Sequence, residues 1–492
     1  MTFASLKVAA ALPEIFLAVA ACAILLFSAI SPSDNRAGRA CWFAIAALLI
    51  TALLVVAGFP AVDAAATTAF NAMFIGDALS ALMKVGMCLL CAAAFLYGRE
   101  YNRARGIATC EYYVLGLFSA AGMLVMASAN HLLTLYLGLE LMSLCLYALV
   151  ASARENKLAS EAAMKYFVLG ALASSILLYG MSLLYGLTGA LELPAIRAAL
   201  VSAADADAVD PALALAVVFI VVALAFKLGA APFHMWLPDV YHGAPTSTTA
   251  FLSAAPKIAA FAVVLRLLAD GLGDLTGVWQ SMLIILALLS VAVGNFIAIA
   301  QANLKRMLAY SAVSHMGFFL FGIAAGNAAG YSASLFYVLI YAVMSVGAFG
   351  AVLCLARDGS EFDRLDDLRG LSKRQPRIAL LILILMLSMA GIPPTAGFFA
   401  KLAVIQALVG AGLVWVAVAA VLLAVVGAFY YLRVIKLMYF DAPAEDAMDL
   451  APAIADRPAH ALLAFNALII IAILPWIGAL IALCNAVIAA AV

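Results

Sequence analysis

The stretch "ALAFKLGAAPFHMWLPDVYHGAPT" (residues 223–246) closes an apolar run that opens near Pro211. An ammonium group, Lys227, and a helix breaker, Pro232, stand in a segment that otherwise belongs in hydrocarbon. The run from 211 to 241 is longer than the roughly 20 residues that cross a bilayer once. Proline removes a backbone donor and frees a carbonyl. At membrane depth such a break is tolerated only where protein or water meets the freed groups. The stretch therefore predicts a membrane helix broken near its middle, with a polar pocket at the break and a lysine using that pocket.

The surrounding chain fits a membrane setting. Of 492 residues, 68% are hydrophobic and 11% charged, and mean hydropathy is +1.16. Soluble domains are nearer half apolar and a quarter charged. Apolar runs between polar breaks predict an all-α polytopic membrane protein with about fourteen spans. Their extents are 10–30, 40–58, 73–97, 111–129, 130–152, 160–188, 211–241, 245–270, 276–300, 304–325, 332–356, 376–410, 413–437 and 459–486. The first run lacks a small-residue cleavage site after a short apolar core, so it reads as a retained helix. Formal net charge is zero, so no global field points to nucleic acid.

Redox and nucleotide signatures are missing from the sequence. Eight cysteines lie mostly in apolar runs, and the CxxC at Cys88 and Cys91 has no partner pair. They read as small buried hydrophobes, with no iron–sulfur spacing. "GLGDLTG" (271–277) has no preceding strand and the wrong spacing for a dinucleotide turn. The expectation is a chain with no cofactor and no metal of its own.

Lys and Arg set an orientation. With the N-terminus outside, the inner loops hold eighteen of them. The outer side holds three (Lys7, Arg197 and Arg266), and five fall inside spans (Lys84, Lys165, Lys227, Lys257 and Lys401). This bias follows the positive-inside rule and puts both termini outside. The outer loop between spans six and seven is acidic, with Glu192, Asp205, Asp207 and Asp210.

Lys84, Glu140, Lys227 and Lys257 fall close to span midpoints, His315 near the middle of span ten, and Lys401 a turn or two from the middle of span twelve. A central lysine costs about 2.5–3.5 kcal/mol even on the mildest insertion scale. Snorkelling accounts for Lys165, a turn and a half from an inner end, but not for a midpoint. An ion pair with Glu140 is a second structural account, although one carboxylate cannot neutralise three lysines. Burial disfavours a charged form and a nearby opposite charge favours it. Changing the influence of Glu140 would thus switch a lysine between holding and releasing a proton. Intramembrane ionisable chains commonly mark proton paths. His315, with Tyr310, Ser311 and Ser314 around it, either extends such a path or is a hydrogen-bonded packing residue.

A second break stands at "AGIPPTAGFFAK" (390–401), where Gly391, Pro393, Pro394 and Gly397 precede Lys401. "FKLGA" (226–230) and "AKLAV" (400–404) echo one another around Lys227 and Lys401, and Asn130 and Asn303 recur at nearly the same offset. One membrane domain (1–492) is expected. It comprises N-terminal helices (1–110), a five-helix repeat (111–270), a second repeat inverted because five is odd (276–440), and a last helix (459–486). Inverted repeats with broken helices are a transporter design.

Four stretches carry a resemblance. They are "LTLYLGLELMSLCLYALVA" (133–151), "FKLGAAPFHMWLPDVYHGAPTSTTAFLS" (226–253), "NLKRMLAYSAVSHMGFF" (303–319) and "AGIPPTAGFFAK" (390–401). Through nearly its whole length the chain resembles the antiporter-like membrane subunits of respiratory complex I, a family shared with multisubunit cation/proton antiporters. "PDVYHGAPT" and a lysine at 401 resemble the N-type branch, and the fourteen-helix length resembles bacterial forms. The resemblance implies that Glu140 sits at the interface with a neighbouring subunit, with Lys227 as its partner. It implies that Lys257 is the central connecting lysine and Lys401 lies on the outward path, with Lys165 and His234 supporting. It further implies proton translocation driven by electron transfer elsewhere in the complex. NADH, FMN, iron–sulfur clusters and quinone would belong to other subunits, and the chain would be a translocase subunit without a redox site. M-type and K-type subunits are the implied neighbours, and the bacterial inner membrane the implied location, with both termini periplasmic. A cation/proton antiporter subunit is the alternative within the family, and a purely structural membrane scaffold the alternative from another class. Lys84 has no implied role, and Asp77, two turns away on the same helix face, is its expected partner.

Overall fold

The computed structural model describes residues 6–30, 36–60, 62, 66–204, 210–356, 361–443 and 456–491. Asp205, Asp207 and Arg357, which entered the charge pattern, lie outside them.

The chain is a helical bundle. In order the helices are α1 (Leu12–Ile30), α2 (Arg36–Ala57), α3 (Ala78–Ala104), α4 (Cys110–Ala127), α5 (Leu132–Val150), α6 (Lys157–Thr188) and α7 (Leu193–Ala204). There follow α8 (Pro211–Leu228), α9 (Trp236–Gly243), α10 (Thr246–Ser253), α11 (Ala255–Leu265), α12 (Thr276–Ala300), α13 (Leu304–Ala324) and α14 (Ala328–Leu355). The last are α15 (Leu371–Arg374), α16 (Pro376–Ala390), α17 (Ala396–Gly410), α18 (Val414–Tyr439), α19 (Arg457–Ala472) and α20 (Ile477–Ala491). A small hairpin, β1 (Thr67–Ala69) with β2 (Phe74–Gly76), precedes α3. Polar caps start many of the crossings. Asp77, Thr109, Asn156, Asp210, Asn303, Asn327 and Asp456 each accept a backbone N–H of the first turn, supplying an acceptor that lipid does not.

Among the described residues, thirteen helical segments are long and apolar enough to cross a membrane. The twelfth crossing joins two shorter helices, α16 and α17. The last is interrupted at Leu474–Trp476 and runs on to Ala491. Its halves follow one neighbour: Asn466 of α19 meets Gly347 of α14, and Asn485 of α20 accepts a hydrogen bond from Ser332 of α14. The described residues thus form the fourteen crossings of a multi-pass, all-α membrane protein. Spans seven and twelve are broken as expected. Span eight is broken as well, at Ala254 (φ −114°, ψ −84°), just before Pro256 and Lys257. Helix α7, in the loop after span six, was not foreseen.

The halves share an architecture. His131 pairs with Glu192 as Asn303 pairs with Arg364, and one constant shift in numbering carries the first pair onto the second. The same shift carries the bond from Leu132 N–H to Leu191 O onto that from Leu304 N–H to Asp363 O. It also carries Gly122 on α4 onto Gly294 on α12. A Cβ at either would lie 2.6 Å from a backbone nitrogen of the facing helix, Met142 N or Ser314 N. Each close pair, α4 with α5 and α12 with α13, needs glycine at its crossing. The breaks correspond under a somewhat shorter shift, with Gly229 (φ +78°) answering Gly391 (φ +83°). In this register Lys227 precedes its glycine and Lys401 follows its own. The echo between "FKLGA" and "AKLAV" therefore joins opposite sides of the breaks and is not a structural correspondence.

Three further expectations are corrected. Span three begins at Ala78, because the hairpin and the Asp77 cap occupy the preceding residues, and it ends at Ala104. Lys84 is therefore under two turns from the start of α3 rather than at mid-span. Its partner is Glu14 of α1 at 2.6 Å, not Asp77, and its ammonium lies 4.8 Å from the Phe74 ring centroid. Asp77 instead accepts from Arg266 at 2.6 Å. Arg266, assigned above to the outer side, is a buried residue that also meets Asp270 at 3.1 Å.

Candidate functional site

The first break is a short irregular segment, 229–235, between α8 and α9. Gly229 ends α8 in the left-handed region, and its N–H reaches back to the last carbonyls, as a glycine cap does. The remaining polar groups find side chains. Trp236 Nε1 donates to Phe226 O (2.9 Å), Ser290 Oγ accepts from Ala231 N–H (2.8 Å), and Lys257 Nζ donates to Leu228 O (2.8 Å). The ammonium of Lys257 also lies 5.6 Å from the Trp236 ring centroid. The lysine at the break is thus Lys257, from the next span. A cation there suits the partial negative charge at a helix C-terminus.

Lys227 turns the other way. Its Nζ donates to Ser143 Oγ on α5 and Ser174 Oγ on α6, both at 3.1 Å. Glu140, one turn before Ser143, forms no ion pair with any described residue, and its Oε1 is buried without a hydrogen-bond partner. The expected Glu140–Lys227 contact is open in this structure, with two serine hydroxyls holding the ammonium instead. Lys227 and Lys257 line one cavity of ≈ 20 Å³ with Tyr166, Trp236 and Met142, about the room one water needs.

The second break repeats the chemistry with a different donor. Lys401 Nζ reaches back from α17 to Met389 O (3.1 Å) and Ala390 O (2.8 Å) at the end of α16. Its ammonium sits 5.3 Å from the Phe318 ring centroid. In the register that matches Gly229 with Gly391, Leu228 corresponds to Ala390, so Lys257 and Lys401 serve equivalent carbonyls. Ser388 Oγ accepts from Gly397 N–H (3.1 Å), bridging this break. Pro232, Pro393 and Pro394 all lie inside the two breaks.

His315 is buried beside this second break. Its ring nitrogens meet Tyr337 Oη (2.6 Å) and Tyr431 Oη (3.1 Å), and Tyr431 also bonds Ser311. His315, Lys401, Tyr430, Tyr431 and Asn295 line a cavity of ≈ 10 Å³. Tyr310 and Ser314 are its neighbours in sequence, yet the ring's hydrogen-bond partners are tyrosines of α14 and α18. Their only sequence signal is a phenol in an apolar span, where a buried O–H needs a partner. His234 lies in the first break, half-buried, with Nδ1 lacking a hydrogen-bond partner among the described residues and its ring edge-on to Tyr310 at 6.1 Å.

Lys165 belongs to the rim rather than to the buried series. It pairs with Glu161 and with Asp239, each at 2.8 Å, and Asp239 also holds Arg306 at 2.8 Å. On the same end of the bundle a cavity of ≈ 1050 Å³ is lined by Tyr101, Arg105, His242, Lys305, Glu361 and Asp363. A hydroxyl series leads inward from it. Thr246 Oγ1 donates to Glu361 (3.0 Å), which also accepts from Tyr101. Tyr112 Oη bonds Ser247 (3.2 Å) and Thr248 (3.3 Å) of the wholly buried α10. Asp363 accepts from Asn303 (2.7 Å) and faces His242 at 3.7 Å. Chiefly through His242, its carboxyl is held below the usual carboxylate range.

Broken helices in two inverted halves, with a buried Lys257 and a half-buried Lys401 on the carbonyls freed at the breaks, define a membrane ion-translocating unit of the antiporter type. Residues 129–427 match the family described as NADH:quinone oxidoreductase/Mrp antiporter, TM, and the chain belongs to that family. Within it, the chain is similar to proteins named NADH-quinone oxidoreductase subunit N. It is 52% identical to that of Thiobacillus denitrificans over 473 residues, 96% of each chain. It is 50% identical to that of Thioalkalivibrio sulfidiphilus over 486 residues, 98% of each. A chain of respiratory complex I from Thermus thermophilus superposes with TM-score 0.79 at 31% identity, covering 96% of this chain and 98% of that one. A chain of the Mrp complex from Dietzia superposes with TM-score 0.85 at 23% identity, covering 98% and 97%, and shares the fold.

Proposed function

We propose that this chain is the N-type, proton-translocating membrane subunit of an NADH:quinone oxidoreductase. It moves protons outward while electrons pass from NADH to quinone in other subunits. NADH, FMN, the clusters and quinone are bound there, and this chain supplies ionisable side chains only. The observation that supports the reading most is the pair of lysines, Lys257 and Lys401, each on the carbonyl end of a broken helix in its own small cavity.

The roles follow the geometry. With Glu140 near, Lys227 keeps its proton. Where Glu140 makes no direct contact, as here, its charge acts only through space while the serines supply the hydrogen bonds, and release becomes easier. Lys257 receives that proton across the shared cavity, and its bond to Leu228 O is the bond that protonation strengthens. His315 and its tyrosines carry the proton on to Lys401, whose deprotonation delivers it outward. His234 stands at the junction of the two halves. Lys165, with Asp239 and Arg306, holds the inner end of α9 in place.

An M-type subunit and a small K-type subunit are the neighbours, with Glu140 facing one of them. The site is the bacterial inner membrane. Both termini are periplasmic, supported by the excess of Lys and Arg at the opposite end. The antiporter alternative predicts cation-dependent proton exchange without NADH. The test uses inverted membrane vesicles from a strain lacking this chain and from the complemented strain. Complementation should restore NADH-driven proton uptake and leave sodium-driven proton movement unchanged. Sodium-driven exchange restored without NADH-driven uptake would overturn the proposal.

A further inference from the structure

A cavity of ≈ 1030 Å³ lies among α1, α2, α3 and α4, far in sequence from every lysine of the translocation series. Arg36, Arg39, Arg99 and Arg103 line it, opposed by Glu100 and Glu111. With Asp456, which Arg99 also reaches, three carboxylates face these four guanidinium groups. Glu100 is already engaged, with Arg99 at 3.1 Å and Arg103 at 2.7 Å, and Arg99 also reaches Asp456 at 3.5 Å. Arg36 has no ion pair or hydrogen bond with any described residue, and its Nε is buried. The first turn of α2 (Arg36, Ala37, Gly38 and Arg39) forms part of the wall, and a helix N-terminus favours an anion.

The apolar side of the cavity points to the kind of anion. Leu25, Leu26 and Trp42 line its edge at 41%, 64% and 48% exposure, in a helical face that belongs against acyl chains. Arg99 stacks on Trp42 (5.3 Å to the centroid) and Arg39 on Phe27 (5.9 Å). The cations are thus anchored at the level where headgroups meet hydrocarbon. Basic pockets between membrane helices on the cytoplasmic side hold acidic headgroups, and planar guanidinium groups match phosphate in a bidentate way. We propose that this cavity binds one acidic phospholipid. Its phosphate sits between Arg36 and Arg103, and its chains lie along Leu25, Leu26 and Trp42. The lipid would fasten α1 and α2, at the edge of the bundle, to α3 and α4.

The test uses the assembled complex, stripped of lipid in mild detergent and titrated with diphosphatidylglycerol, phosphatidylglycerol, phosphatidylcholine or inorganic phosphate. Native mass spectrometry counts bound lipid. Wild type should hold one more acidic phospholipid than Arg36→Gln/Arg103→Gln, with half-saturation about thirtyfold weaker in the variant. Phosphatidylcholine should not fill the site, and millimolar inorganic phosphate should not displace the lipid. Equal counts overturn the proposal, and displacement by inorganic phosphate overturns its lipid part. Arg103→Gln alone is the second variant, because that side chain is 77% exposed and its replacement is expected to leave assembly intact, checked on native gels. About fivefold weaker retention is expected, and unchanged retention refutes the site.

Discussion

Replacing Lys257 separates a structural lysine from a proton carrier. Lys257→Met removes the ammonium that donates to Leu228 O at 2.8 Å. A hydrogen bond from a charged donor contributes about 1.5–3 kcal/mol, and an orphaned buried carbonyl costs about 1–3 kcal/mol. Relief from burying a charge offsets part of this, so a net loss of about 2 kcal/mol in the local structure is expected. That is roughly thirtyfold in a local opening equilibrium, too little to prevent assembly. The effect on function should be far larger, because methionine cannot hold a proton at all. Lys257→Arg is the control: it keeps a charged donor but does not release a proton near neutral pH. The assay is proton uptake and quinone reduction by inverted vesicles, after checking assembly on native gels. Both variants should assemble, and both should lose most proton uptake. If Lys257→Arg works within about twofold of wild type, the lysine only caps a helix and the relay argument fails at this residue.

Other outcomes follow from the same geometry. Gly229→Ala forces a side chain into φ +78° and places Cβ 2.3 Å from Leu237 Cδ1. It should destabilise the protein by about 1–3 kcal/mol, read as a lower Tm of the complex. Tyr431→Phe removes a partner of both His315 and Ser311. It should leave assembly intact and slow proton uptake several-fold, whereas unchanged uptake would make His315 a packing residue. Asp363 has its carboxyl held low in the folded state. The stability it contributes is present above the ordinary carboxylate value near about 3.9 and is lost as pH falls through the lower, folded value. Asp363→Asn should therefore reduce stability at neutral pH and shrink the gap to wild type in acid, measured by Tm against pH.

Much of this was legible in the sequence because lipid leaves a chain few choices. Apolar run lengths, the Lys and Arg bias and the two proline-containing breaks gave the fourteen crossings and their broken members. The inward placing of Lys227 and Lys257 followed from run midpoints, and that of Lys401 from its place just after the second break. Contacts between spans were less accessible. Lys227 sits beside the first break in sequence, yet Lys257 fills it, because the kink at Ala254 turns the start of α11 toward Leu228. Lys84 looked central until the hairpin before α3 shifted the helix start. The tyrosines around His315 come from α14 and α18, and no local pattern links them to α13. The echo of "FKLGA" in "AKLAV" matched letters rather than positions, since a longer stretch separates Leu191 from Gly229 than Asp363 from Gly391.

The most direct test concerns Lys227, held by Ser143 and Ser174 with Glu140 apart. Lys227→Ala should be made in native membranes, and NADH-driven quinone reduction and proton translocation recorded together once assembly is confirmed. Both should fall together, because electron transfer waits on proton movement through this lysine. Normal rates of both in a fully assembled complex would contradict the account at its centre.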